Sequence, residues 1–275
     1  MRFETILRLR LRLRLAVVVA TGAMLSAQSA AAQPVAALAA ASAPVRTYAI
    51  VPLIGDEFVV VTRRIEVGTN LNPNERTPLA VTDPVFDRIA ADEVEARLLA
   101  AKPGTPVLRA LIRDPRLFAL QEKLLTESSE SHDMRIALHD LLAKAGATDL
   151  YLVTKHRGPL NFRISTGLLE RPGTLGGIGF YIDNETEMYR NNDKPGGEGF
   201  LAPYAYLAIS LIDVASMRVV QTRNGLETTA ALPGDKVGGA AEHAWNALSG
   251  KEKVDALDRV IRRAVRTGMT GLIPE

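Results

Sequence analysis

Residues 204–213 (YAYLAISLID) constrain the fold more than any other stretch of the chain. Ala205, Leu207, Ile209 and Leu211 fall on one face of an extended strand, and Tyr204, Tyr206, Ala208, Ser210 and Ile212 fall on the other. The chain turns over 213–217 and returns over 218–222, which predicts a hairpin. Upstream, Met134, Leu138, Leu141, Leu142 and Ala145 recur at helical spacing, with Leu141 expected in the core. Gly146 stops that helix, and the apolar run 150–154 follows at once. A helix, a glycine stop and an apolar strand in this order make an αβ unit.

The rest of the chain adds to that unit. Residues 47–53 and 58–64 are β-branched, apolar runs separated by Ile54-Gly55-Asp56-Glu57, which predicts a first hairpin. Residues 66–81 read as a long loop with a short edge strand. Asp83-Pro84 is an N-cap followed by a proline at the first helical position, and Phe86, Ile89, Ala90, Val94 and Leu98 form the apolar face behind it. Residues 107–112 are a short strand. Asp114-Pro115 repeats the start signal for a helix with Leu117, Leu120 and Leu124 on its stripe. Ser249 and Glu252 make a capping box for the last helix, with Val254, Leu257, Ile261 and Val265 facing the core and Gly268 ending it. The expected fold is a three-layer α/β domain, with a mixed sheet of hairpins flanked by helices 84–101, 134–145 and 250–267. One domain, 46–275, carries an irregular insertion at 157–199.

The N-terminus speaks to location. Arg2, Arg8, Arg10, Arg12 and Arg14 precede the apolar run 15–25, and Ala30-Ala31-Ala32 matches a signal-peptidase site. The run is short of the ~20 residues that span a bilayer. Residues 1–32 are thus read as a signal peptide cleaved after Ala32, and the alanine-rich stretch 33–45 as a flexible lead-in. Without residues 1–32, the 33 basic and 31 acidic residues become 28 and 30. That balance lacks the basic excess that nucleic acid selects, and no stable membrane span is expected after cleavage. The chain has no cysteine, which excludes disulfides, thiolate metal sites and thiol nucleophiles.

Candidate chemistry is sparse. Ser128, Ser129, Ser131, His132 and Asp133 contain the residue types of a nucleophilic triad, but contiguous residues do not supply its geometry. Ser131 reads instead as a helix cap. His132 and His139 lie about 10 Å apart along a helix, too far to share one ion. Residues 183–187 (DNETE) begin like a calcium loop, yet Met188 and Lys194 stand where that loop needs glycine and glutamate. No catalytic, cofactor-binding or metal residues are assigned, and no cofactor is expected. Arg259, Arg262, Arg263 and Arg266 place positive charge on the outer side of the last helix, either as a dipole-favoured face or as an anionic docking surface.

The helix leading into Gly146-Ala147-Thr148-Asp149, the strand Leu150-Tyr151-Leu152-Val153, and the late strand ending in Leu211-Ile212-Asp213-Val214 resemble a periplasmic α/β class. That class includes the CsgG domain, LpoB and the TolB N-terminal domain. Here Thr148 stands inside the Gly-Ala-Asp run, and no cysteine is present for lipid attachment. The resemblance, over residues 83–223, implies a periplasmic fold and an accessory role at the envelope. The expected function is an exported, soluble, non-catalytic binding or assembly module with an envelope protein as partner. The alternative is a periplasmic hydrolase built from Asp149, Asp183 and Glu185. The residues expected nearest a partner are the aromatic Tyr181, Tyr189 and Phe200, since the long segment 157–199 is rich in glycine, asparagine and aspartate.

Overall fold

The computed structural model describes residues 46–64, 74–125, 128–164, 167–189, 195–229 and 245–274. The expected signal peptide, the cleavage point after Ala32 and the lead-in 33–45 lie outside the described residues.

One strand organises the sheet. β8 (Pro195–Asp213) pairs antiparallel with β7 (Gly167–Tyr189) over its first half and with β5 (Asp149–Lys155) over its second. Both lie along the same edge of β8, because its other edge is taken by β9 (Arg218–Thr228). β1 (Tyr48–Leu53) joins β5 in parallel and carries the short β4 (Val107–Arg109) beyond it. β2 (Glu57–Thr62) lies parallel to β7 and antiparallel to the edge strand β3 (Glu75–Ala80). β6 (Arg157–Ile164) pairs with the first part of β7. The result is a nine-stranded mixed sheet.

Alternation along these strands divides the interior. Tyr48, Ile50, Tyr151, Leu207, Ile209 and Leu211 pack beneath α1 (Val85–Ala101) and α4 (Gly250–Met269). Ala49, Val51, Leu53, Leu150, Leu152 and Ile212 face α2 (Pro115–Ala119) and α3 (His132–Lys144). Further along the sheet on that side, the β6–β7 hairpin covers Tyr181, Phe200, Tyr204 and Tyr206. These are the three expected layers, with a β-hairpin completing the second face. On the first side Glu93 of α1 receives Arg97 at 3.1 Å and both Arg262 and Arg266 of α4 at 3.5 Å, so two of the four outer arginines of α4 serve the helix pair.

Several expectations change in detail. The first hairpin is absent. β1 and β2 both run opposite to β8, so they travel in the same direction and cannot pair as hairpin partners. Residues 54–56 step the chain from one half of the sheet to the other, and the Asp87 carboxylate accepts the amides of Ile54 and Gly55, each at 2.9 Å. α1 begins with Pro84 at the cap position and no side-chain cap; Asp83 pairs with Arg88 instead. In α3, Leu138 and Leu142 are buried and Leu141 only partly so. Gly268 lies inside α4 against Ile209 rather than ending it. The capping box at Ser249 and Glu252 is formed.

The largest correction concerns 157–199. Its described residues are not an irregular insertion but β6, β7 and the start of β8. Gly179 misleads because it sits where strands crowd. A Cβ at Gly179 would lie 1.9 Å from the Val59 carbonyl oxygen and 2.6 Å from the Tyr204 hydroxyl. Glycine there permits close strand approach, not looseness.

Candidate functional site

β9 is the starting point, because it is a long strand paired along one edge only among the described residues. Its path follows from the turn before it. The Asp213 carboxylate accepts the Ser216 amide at 2.8 Å, and Met217 takes a left-handed φ of 51° that sends the chain back along β8. Gly225 then lets α4 settle against the strand: a Cβ there would lie 1.9 Å from the Ala264 carbonyl oxygen. The strand is pinned from one side by the helix, and much of it stays open to solvent. Val220 is 61% exposed, Leu226 40% and Val219 39%. Large apolar side chains left open along a bare edge invite another chain to pair.

The neighbouring surface continues this patch. His132, Arg135, Ile136 and His139 lie at three- and four-residue steps, on the side of α3 turned away from the core. With Ser128, Ser129 and Met217 they line an open cavity of about 620 Å³. Arg135 donates to the Met217 carbonyl at 3.4 Å, so the cavity abuts the turn that starts β9. Ile136 is 48% exposed inside it. His139 contacts Asp140 at 3.1 Å. The triad-like stretch has a structural use: Ser131 is buried, and its hydroxyl donates to the Lys123 carbonyl at 2.8 Å instead of capping α3.

Two carboxylates of the hydrolase alternative, Asp183 and Glu185, share Arg63, and the third, Asp149, does not join them. Asp149 stands opposite Asp213 on β8, and Asp183 stands opposite Phe200 on the same strand. Thirteen residues of extended chain separate those positions, about 40 Å. Asp149 accepts the Thr148 hydroxyl at 2.7 Å and faces Arg46 at 3.8 Å. Asp183 is fully buried between Arg63 at 3.2 Å and Arg171 at 3.6 Å. Burial opposes its charge, but the Thr186 hydroxyl, the amides of Glu185 and Thr186, and Arg63 hold its carboxyl below the usual range. Glu185 also reaches Arg63, at 3.6 Å. Residues 183–187 thus form an Asp-anchored bulge in β7 tied to two arginines. Among the described residues no group of three or more His, Asp or Glu side chains stands close enough to hold a metal ion, and no helix is long and apolar enough to cross a membrane.

The aromatic contact residues also need correction. Tyr181 and Phe200 are fully buried, with ring centroids 5.8 Å apart, and Phe162 packs against both. They are anchors of the core under the β6–β7 hairpin and present no surface. Tyr189 ends β7, and its side chain lies outside the described residues. Among the described residues, most of the exposed large apolar side chains belong to β9 and α3, which also carry basic residues; the others are Leu168 of β7 and Leu99 of α1. Val219-Val220, an apolar pair between Arg218 and Arg223 in the return arm of a hairpin, was the available signal.

No family model matches this chain, and no curated protein does. Among solved structures it is similar to a PelC dodecamer from Paraburkholderia phytofirmans, at 11% identity over 83% of this chain and 90% of that one, with a TM-score of 0.30. It is also similar to a homolog of neuraminyllactose-binding hemagglutinin from Helicobacter pylori, at 6% identity over 82% of this chain and 80% of that one, with a TM-score of 0.32. Likeness at this level leaves open what this chain binds.

Proposed function

We propose that this protein is an exported, non-catalytic binding or assembly module of the cell envelope, belonging to the periplasmic α/β class that includes CsgG, LpoB and the TolB N-terminal domain. The observation that carries the reading is the open edge of β9, with Val219, Val220 and Leu226 exposed on a strand that α4 holds in place. An extended chain pairs with such an edge through its backbone, and side-chain contacts select the partner. The α3 cavity with Ile136 enlarges the contact. Export is supported by the basic, apolar and Ala-Ala-Ala segments of residues 1–32. The hydrolase alternative depends on convergence of Asp149, Asp183 and Glu185, and the sheet register argues against that.

The test is capture from solubilised envelope by the purified full-length mature protein and by a Val220→Lys/Ile136→Lys variant. Both positions are exposed, so the melting temperature should stay within a few degrees of the parent. A polypeptide retained by the parent and lost by the variant supports the reading. Equal capture by both removes β9 and α3 as the contact.

A further inference from the structure

We infer that the segment docking on β9 is an extended strand of another protein in which acidic and apolar residues alternate; this deepens the binding reading above and rests on it. Apart from Val220, which a shift in the ladder leaves without a partner on β8, the pairing register sorts the side chains of β9 onto two faces. Arg218, Gln221, Arg223, Gly225 and Glu227 stand opposite Asp213, Leu211, Ile209, Leu207 and Ala205, which puts them on the α4 side. Val219, Thr222, Asn224 and Leu226 stand opposite Ile212, Ser210, Ala208 and Tyr206, on the side of α3 and the β6–β7 hairpin.

The α4 side is basic. Arg218 and Arg223 have no ion-pair partner among the described residues, and neither do Arg259 and Arg263 of α4. Arg263 reaches the end of β9 through the Thr229 hydroxyl at 3.4 Å, and Arg259 lies one helical turn away from it. Glu227, the acidic residue of β9, is engaged by the Thr267 hydroxyl at 3.1 Å. From Arg218 to Thr229 the chain covers about 36 Å, so the uncompensated cations follow the whole edge. On the opposite side β9 itself carries no charged residue: the exposed Val219 and Leu226 flank a threonine and an asparagine.

A strand added to this edge continues the pleat, so its side chains alternate between the same two faces. Residues meeting the arginine side gain from carboxylates, and residues meeting Val219 and Leu226 gain from apolar side chains. A second copy of β9 fits poorly. Edge-to-edge pairing about a two-fold axis normal to the sheet puts both arginine rows on one face, where like charges oppose each other. The arginines therefore guard the edge against itself while selecting an acidic strand.

The probe is a synthetic twelve-residue peptide with Glu or Asp at every second position and Val or Ile between. Its controls are a scrambled peptide of the same composition, polyglutamate and a sulfated polysaccharide. Binding to the full-length mature protein is read by fluorescence anisotropy, and pairing by amide hydrogen exchange of β9. The alternating peptide is expected to slow exchange along 218–228 and to bind about tenfold or more tightly than the scrambled one. Arg218→Gln with Arg223→Glu should weaken it by about tenfold or more without lowering the melting temperature, and a peptide with Lys in place of its acids should then bind the variant more tightly than the parent. Equal binding of scrambled peptide, polyglutamate or polysaccharide without protection of β9 overturns the proposal in favour of a general polyanion surface. Absence of binding by any probe overturns it as well. If the peptide fails while the Val220→Lys/Ile136→Lys variant still loses envelope capture, only the acidic-strand inference falls. If that variant captures normally, the underlying binding reading falls.

Discussion

Asp87 shows how one side chain can carry a topological decision. Its carboxylate holds the amides of Ile54 and Gly55, and so fixes the step that carries the chain from β1 to β2. Burial raises its pKa from 3.8 to about 6, with the two amides and Arg113 pulling the other way and Asp56 adding to the rise. The fold therefore favours the protonated acid. The stability linked to this group is complete below pH 3.8 and is lost as pH rises through about 6, a swing of about 3 kcal/mol. Asn in its place keeps the acceptor oxygen and removes the titration. Asp87→Asn should flatten the stability change between pH 4 and pH 7 and should melt higher than the parent at pH 7. Parallel pH profiles of the two melting temperatures would contradict this role. Nothing in the local sequence announces it, because Asp87 sits in the first turn of a helix, where an exposed acid is ordinary.

At the scale of elements, legibility followed periodicity. α1, α3 and α4 are readable because each buries one stripe, β5 because it is an unbroken apolar run buried on both faces, and the β8–β9 hairpin by its alternation and turn; the capping box at Ser249 is local chemistry. Failures came where pairing depends on distant strands. The run 47–53 looks like one arm of a hairpin, yet its partners are β5, about a hundred residues on, and β4. Gly179 of β7 looks like a loop residue because its neighbour, Val59, is remote in sequence. Tyr181 and Phe200 look like surface anchors for the same reason. The β9 edge was legible as a strand but not as a site, since exposure depends on what covers the neighbouring face. α3 provides a direct check of its observed packing. Leu142→Asp places a charge in the core between α3 and the sheet and should cost about 3–5 kcal/mol. Leu141→Asp, at a half-buried position, should cost clearly less. Thermal or urea unfolding that ranks Leu141 as the more sensitive site would place the opposite face of α3 on the sheet.

At the scale of the whole molecule, both halves of the sheet hang on β8 and are backed by α1 and α4, while β9, among the described residues, pairs along one edge only. Three of its apolar residues stay open beside a basic row, and Asp149 lies far along the sheet from Asp183 and Glu185. The proposed binding role rests on the first of these features. The most direct measurement is site-specific photocrosslinking in living cells that express the full-length chain, with a benzophenone amino acid at Val220 and, as a control, at the solvent-exposed Lys251. A discrete adduct of this protein with one envelope polypeptide from Val220, absent from Lys251, is the predicted result. The same adduct from both positions, or none from Val220 while the protein is folded and abundant in the envelope fraction, would contradict a binding role for the β9 edge.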